Sequence, residues 1–99
     1  MGKYDKKHII WAKAIKERDK CCQVCGKSDG VLHAAHILPD TFKKYKYDTS
    51  NGMLLCFTHH IKTSWSFHQN PLFFAKWLKE HKPNIYAIAV MRLAKEDGA

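Results

Sequence analysis

The sequence predicts a small α+β domain: a strand–strand–helix unit with a metal-bound cysteine knuckle, preceded by one helix and followed by one or two more. Three observations lead there. Two pairs of metal-ligand residues, Cys22/Cys25 and Cys56/His59, share the same two-residue spacing. Two short apolar runs, Val31 to Leu38 and Met53 to Leu55, have strand length. Helical spacing of apolar residues appears toward both ends of the chain. At 99 residues the expectation is one domain over 1–99, short enough to need a metal or disulfides to hold it.

The N-terminal helix is expected over residues 6–18. Ile10, Trp11, Ala14 and Ile15 recur at helical spacing, Asp5 is placed to cap the start, and Lys16, Arg18 and Lys20 suit the negative end of the dipole. Turn chemistry follows in Cys22-Gln-Val-Cys25-Gly26 and Ser28-Asp29-Gly30, with Gly26 free to take a positive φ. Pro39 ends the first strand, and residues 40–50 read as a polar loop without periodicity. A helix is expected from Phe57, carrying His59 and His60, until Asn70-Pro71 stops or restarts it. Leu72, Phe73, Ala75, Trp77 and Leu78 suggest a further helix ended near Pro83, and Ile85 to Ala94 a last one, together the accessory stretch 72–96.

Seventeen Lys and Arg against nine Asp and Glu give a formal charge of +8, which favours a polyanion as partner, nucleic acid above all. The apolar fraction of 45% argues against global disorder. No membrane span and no secretory leader are read, and Lys6 stands where a myristoylation motif wants Ser or Thr. The expected compartment is a reducing cytoplasm, where four cysteines are metal ligands before they are disulfides.

One tight turn can present Cys22 and Cys25 to one ion, and Cys56 and His59 would share a face if a helix starts there. Three thiolates and an imidazole suit a tetrahedral zinc whose role is structural, since four protein ligands leave no open position. A redox Cys-x-x-Cys is disfavoured because no βαβ pattern accompanies it. Cys21 could replace Cys22 only by losing the two-residue spacing. His59 and His60 are neighbours, about 100° apart on a helix, so they serve different sites. His33 and His36, three apart on a strand, face opposite ways. Asn51 precedes the second strand, where its amide can pin the loop and orient a histidine.

His36-Ile37, then Asn51-Gly-Met-Leu-Leu-Cys56-Phe-Thr-His59-His60, preceded by Cys22-Gln-Val-Cys25, resembles the HNH endonucleases of the ββα-metal fold. Small zinc-bearing members of bacteriophages and other mobile elements are the form it looks closest to. The resemblance covers residues 18–71. It implies a metal-dependent DNA endonuclease of the cytoplasm of a bacterial or phage-infected cell. It implies His36 as general base, Asn51 as the orienting asparagine and His60 as a catalytic metal ligand. The products implied have 5′-phosphate and 3′-hydroxyl ends. The pattern usually carries Asp or His just before the base; here Ala35 stands there.

His33, on the strand face of Ala35, and His68 are the candidates to complete the catalytic ion's shell, with Ser64 a weak ligand at i+4 and water for the rest. His68 lies roughly 12 Å along a regular helix from His60, so it reaches the ion only if the helix breaks. Each of His33 and His68 is equally readable as an ordinary hydrogen-bonded residue. Mg2+ or Mn2+ is the expected ion, with Ni2+ or Zn2+ admissible to imidazoles. The loop Lys43, Lys44, Tyr45 and Lys46 mixes cations and aromatics and is expected to contact DNA backbone, giving weak specificity and strong salt dependence. Two rivals are a non-catalytic zinc-stabilised DNA-binding module and a zinc-stabilised protein-interaction domain. Oligomeric state is open.

Overall fold

The computed structural model describes residues 6–39, 42–62, 66 and 68–96. Asp5, Ser64 and the start of the polar loop lie outside the described residues. The elements in order are helix α1 (Lys6–Asp19), strand β1 (Leu32–His36), strand β2 (Gly52–Cys56), a single π-type turn (Thr58–Lys62), helix α2 (Pro71–His81) and helix α3 (Pro83–Glu96). Two 3-10 turns, Lys43–Tyr45 and Thr49–Asn51, shape the loop between the strands. No helix among the described residues is long and apolar enough to cross a membrane.

β1 and β2 pair antiparallel, with Leu32 opposite Cys56, Ala35 opposite Met53 and His36 opposite Gly52. Side chains alternate across this two-stranded sheet. One face sends Ala35, Met53 and Leu55 into an apolar cluster with Ile37, Cys22, Phe74 and Leu78, so it is covered by α2, with Ile85, Tyr86 and Ala89 of α3 packed behind. The other face sends Leu54 against Trp11 and Ile15 of α1. The sheet is thus sandwiched between the N-terminal helix and the C-terminal pair.

Sequence periodicity misplaced part of the inner faces of α1 and α2. In α1 only Trp11 and Ile15 are buried, and Ile10 is 62% exposed. Four residues separate Trp11 and Ile15, one helical turn, and Ile10 lies about 100° away from Trp11. In α2 the buried residues are Phe74 and Leu78, while Leu72 is 83% exposed. Asn70 caps α2 by accepting from the Phe73 N–H at 3.0 Å, and Pro71 occupies the first turn, where a missing N–H is harmless. Among the described residues the helix expected from Phe57 is the π-type turn Thr58–Lys62, and beyond it the His68 N–H donates to the His60 carbonyl at 3.1 Å.

The cysteine knuckle is fastened to β2. The Gln23 N–H donates to the Leu54 carbonyl at 3.0 Å, and the Leu54 N–H donates to Asp19 Oδ2 at 2.9 Å. The turn itself closes with Gly26 N–H to the Cys22 carbonyl at 2.8 Å, and Gly26 has the positive φ, +81°, that such a turn requires.

Candidate active site and metal centre

The knuckle brings Cys22 and Cys25 to the end of β2, where Cys56 and His59 enter the π-type turn. The four ligand atoms lie within 4.8 Å of one another. Cys25 Sγ and Cys56 Sγ are 3.8 Å apart, Cys56 Sγ and His59 Nδ1 3.2 Å, Cys22 Sγ and His59 Nδ1 3.9 Å. A tetrahedral zinc bonded at ordinary lengths separates two sulfurs by about 3.8 Å and a sulfur from a nitrogen by about 3.6 Å. The cluster therefore fits a metal ion such as zinc. Burial alone would push the Cys22 thiol up, but the backbone N–H groups of Cys56, Cys25 and Val24 outweigh it and hold the thiol below its usual value. Burial and the neighbouring Cys22 and Cys56 thiols push Cys25 up. Cys21 stays outside the cluster; its backbone carbonyl accepts from Gln23 Nε2 at 3.1 Å.

A second group of histidines lies beside this cluster. His33 Nδ1 and His60 Nδ1 are 2.8 Å apart, and His60 Nε2 and His68 Nε2 3.1 Å. The hydrogen bond from the His68 N–H to the His60 carbonyl, at 3.1 Å, ties the two residues together. Burial, then the neighbouring His68 and His33, push His60 down to about 4, so its ring is neutral at physiological pH and able to ligate a cation. The three rings form a series, not a ring around a point: His60 meets His33 with one nitrogen and His68 with the other. Either pair has the separation of two adjacent ligands on one ion. All three serve one ion only if a ring turns.

Ala35, where the pattern expects a metal ligand, is 2% exposed and points into the apolar cluster with Phe74 and Leu78. His33, two residues earlier on the same face, is the side chain that emerges toward His60.

His36 projects from the opposite face of β1. Its ring stacks on Trp11 of α1, centroids 4.1 Å apart and planes within 7°. Its Nε2 lies 2.9 Å from the Lys46 carbonyl. A carbonyl only accepts, so Nε2 carries the hydrogen and the Nδ1 lone pair is the basic one. His36, His33, His60 and His68 nevertheless line one open cleft of about 1150 Å³, together with His8. His8 stands 6.1 Å from His36, ring to ring.

Asn51 is buried and works on the loop. Its Oδ1 accepts from the Leu38 N–H at 2.8 Å, and its Nδ2 donates to the carbonyls of Leu38 and Tyr45 at 3.1 and 3.3 Å. The amide thus closes the 38–51 loop, and that loop supplies the carbonyl against His36. Lys43 and Lys44 are exposed on it and Lys46 is half-buried. Tyr45 does not face outward as its basic neighbours suggested. It is 8% exposed, and the Arg92 guanidinium of α3 covers its ring at 4.7 Å. Arg92 also pairs with Asp48 Oδ2 at 3.0 Å. Hydrogen bonds from Ser50, aided by Arg92 against partial burial, hold the Asp48 carboxyl below the usual range.

The profile of the HNH endonucleases matches residues 22–74, more than half of the chain. The chain belongs to the HNH endonuclease family. No curated protein and no solved structure matches it. In this HNH chain the ββα core is β1, β2 and the π-type turn, and the matched stretch contains the cysteine cluster together with His33, His36, His60 and His68. Trp11, His8 and Arg92 lie outside that stretch. Sequence reading passed over all three for the site; the only local hint was that His8 and Trp11 sit three apart on one helix, hence on one face.

Proposed function

We propose that this chain is a metal-dependent DNA endonuclease that hydrolyses phosphodiester bonds with little intrinsic sequence specificity, His36 acting as general base. The observation that supports it most is the shared cleft: a histidine fixed on face and edge opens onto the same space as the neutral His60. His36 Nδ1 takes a proton from water, the resulting hydroxide attacks phosphorus as the P–O3′ bond breaks, and the departing 3′ oxygen takes a proton from solvent water, giving 5′-phosphate and 3′-hydroxyl ends. An imidazole suits this task because its ordinary pKa lies near working pH. His60, with His33 on Nδ1 or His68 on Nε2, would hold a divalent cation, Mg2+ or Mn2+ by preference, with water in the remaining positions. Such an ion supplies positive charge where the transition state gathers negative charge. Asn51 keeps the loop, and through it the Lys46 carbonyl, in register with the base.

Zinc in the Cys22, Cys25, Cys56 and His59 cluster takes the structural part, because four protein ligands leave no position for substrate. The exposed Lys43 and Lys44, with Lys46, neutralise backbone phosphates and carry no base readout. Lys7 and Lys46 lie over the Tyr47 ring at 6.0 and 5.4 Å, which extends the cationic surface from the loop onto α1.

The test is nicking of supercoiled plasmid by the zinc-loaded chain. Stimulation by Mg2+ or Mn2+, lost in His36→Ala, is the expected result. The burial of Ala35 and the serial arrangement of the three imidazoles favour a second reading, a zinc-stabilised DNA-binding module without catalysis. Salt-sensitive DNA binding with no nicking in either ion would establish that reading instead.

A further inference from the structure

The geometry points to Trp11 as a positioning residue for His36: the indole sets the plane of the imidazole, and position 52 is glycine because the indole needs its space. This rests on the reading of His36 as general base.

Two of the contacts on the His36 ring bear on its aim, and neither suffices alone. The contact of Nε2 with the Lys46 carbonyl at 2.9 Å leaves the ring able to pivot about the N–H···O axis. The stack on Trp11, at 4.1 Å and 7°, stops that pivot but would by itself allow rotation within the plane. Together they aim Nδ1 in one direction. The indole is in turn held: it is 2% exposed, and its Nε1–H donates to the Asp48 carbonyl at 2.9 Å. Lys46 and Asp48 belong to the same loop, so the face and the edge of His36 are referred to one piece of backbone.

Gly52 is the cross-strand neighbour of His36. A Cβ there would sit 2.5 Å from Trp11 Cζ2 and 2.7 Å from Ile15 Cδ1, closer than carbon atoms approach. The place that a side chain opposite His36 would fill is taken by the indole. Trp11 lies outside the matched residues 22–74, so the clamp joins α1 to the matched stretch.

The stack also bears on the proton transfer. An indole face attracts a cation, so it favours the imidazolium that forms as His36 accepts its proton. That attraction grows along the reaction and is weak toward the neutral ring. Loss of Trp11 should therefore lower kcat and leave KM nearly unchanged.

The zinc-loaded 99-residue chain, W11L, W11F, H36A and the W11L/H36A pair are compared for plasmid nicking and for thermal midpoint. W11L is expected to lower kcat by about tenfold or more, as misaimed catalytic groups do, with KM within about twofold. W11F, which keeps a flat ring, should recover most of kcat, and W11L should add nothing to H36A. A W11L chain as fast as wild type, beside an inactive H36A, overturns the clamp and leaves the base reading standing. W11F as impaired as W11L overturns it too, since packing alone would then explain the loss. An H36A chain that nicks at the wild-type rate removes the base reading itself, and the clamp with it. Should W11L fail to fold, proton–carbon NMR of the wild-type His36 ring decides: the stack predicts its resonances upfield of an unstacked histidine, and unshifted resonances overturn it.

Discussion

Replacing Asn51 by alanine removes three hydrogen bonds at once from a side chain that is 2% exposed. An intramolecular hydrogen bond contributes about 1 kcal/mol net, and a buried donor left without an acceptor, here the Leu38 N–H, costs about 1–3 kcal/mol. The two carbonyls fare better, because each keeps a second lone pair. The sum is roughly 4 kcal/mol, a large part of the about 5–15 kcal/mol that holds an ordinary domain. At about 4–8 °C per kcal/mol for a chain of this size, the midpoint of Asn51→Ala should fall by roughly 15–30 °C. Circular dichroism of the zinc-loaded protein through a thermal ramp reads this directly. Asn51→Asp should not rescue the loss, because it turns a carboxylate oxygen toward the carbonyls of Leu38 and Tyr45. A midpoint for Asn51→Ala within about 5 °C of wild type would refute the view that this amide closes the loop.

Metal removal should be more severe. A strong chelator, or Cys25→Ser, is expected to abolish cooperative unfolding, since structural zinc contributes on the order of 10 kcal/mol; metal analysis should find one zinc per folded chain. Ala35→Asp should lose stability, by about 3 kcal/mol or more in denaturant titration, because a carboxylate there meets Phe74 and Leu78 without a partner; an unchanged midpoint would show that the side chain escapes to the cleft. His60 gives a pH signature. Its folded value of about 4 lies below the unfolded one near 6.5, so between them the unfolded chain binds the extra proton. Stability present at neutral pH is lost as pH falls from about 6.5 toward about 4, by on the order of 2 kcal/mol after solvent screening of a half-buried ring. Zinc-loaded His60→Gln, compared with wild type across that range, should show a shallower decline; identical slopes would count against a neutral buried His60.

Features governed by fixed spacing were legible in the sequence. Cys22/Cys25 and Cys56/His59 announce a tetrahedral cluster because ligand geometry dictates the intervals, and Asn70-Pro71 marks a helix start by capping chemistry. The two strands were found as apolar runs, each off by a residue or two at its ends. What stayed hidden depends on residues far apart in the chain. Tyr45 looks like an interface aromatic until Arg92, 47 positions later, is seen to cover it. Trp11 looks like core until it is seen against His36, 25 positions on. His8 shows no motif, yet it opens on the cleft. Helix faces shifted because a 3.6-residue period leaves neighbouring apolar residues, Ile10 beside Trp11 or Leu72 beside Phe73, competing for one buried stripe, and packing against the sheet decides between them.

Asp48 joins the two ends of the molecule: its carbonyl receives the indole N–H of α1 and its carboxylate the guanidinium of α3. An engineer who transplanted only the stretch 22–74 into a new scaffold would leave both grips behind, and the segment bearing Lys43, Lys44 and Lys46 would keep only its inner ties, those of the Asn51 amide and of His36 to the Lys46 carbonyl among them. A usable cassette has to travel with both of its outer helices, or with replacements that seize the same residue from either side.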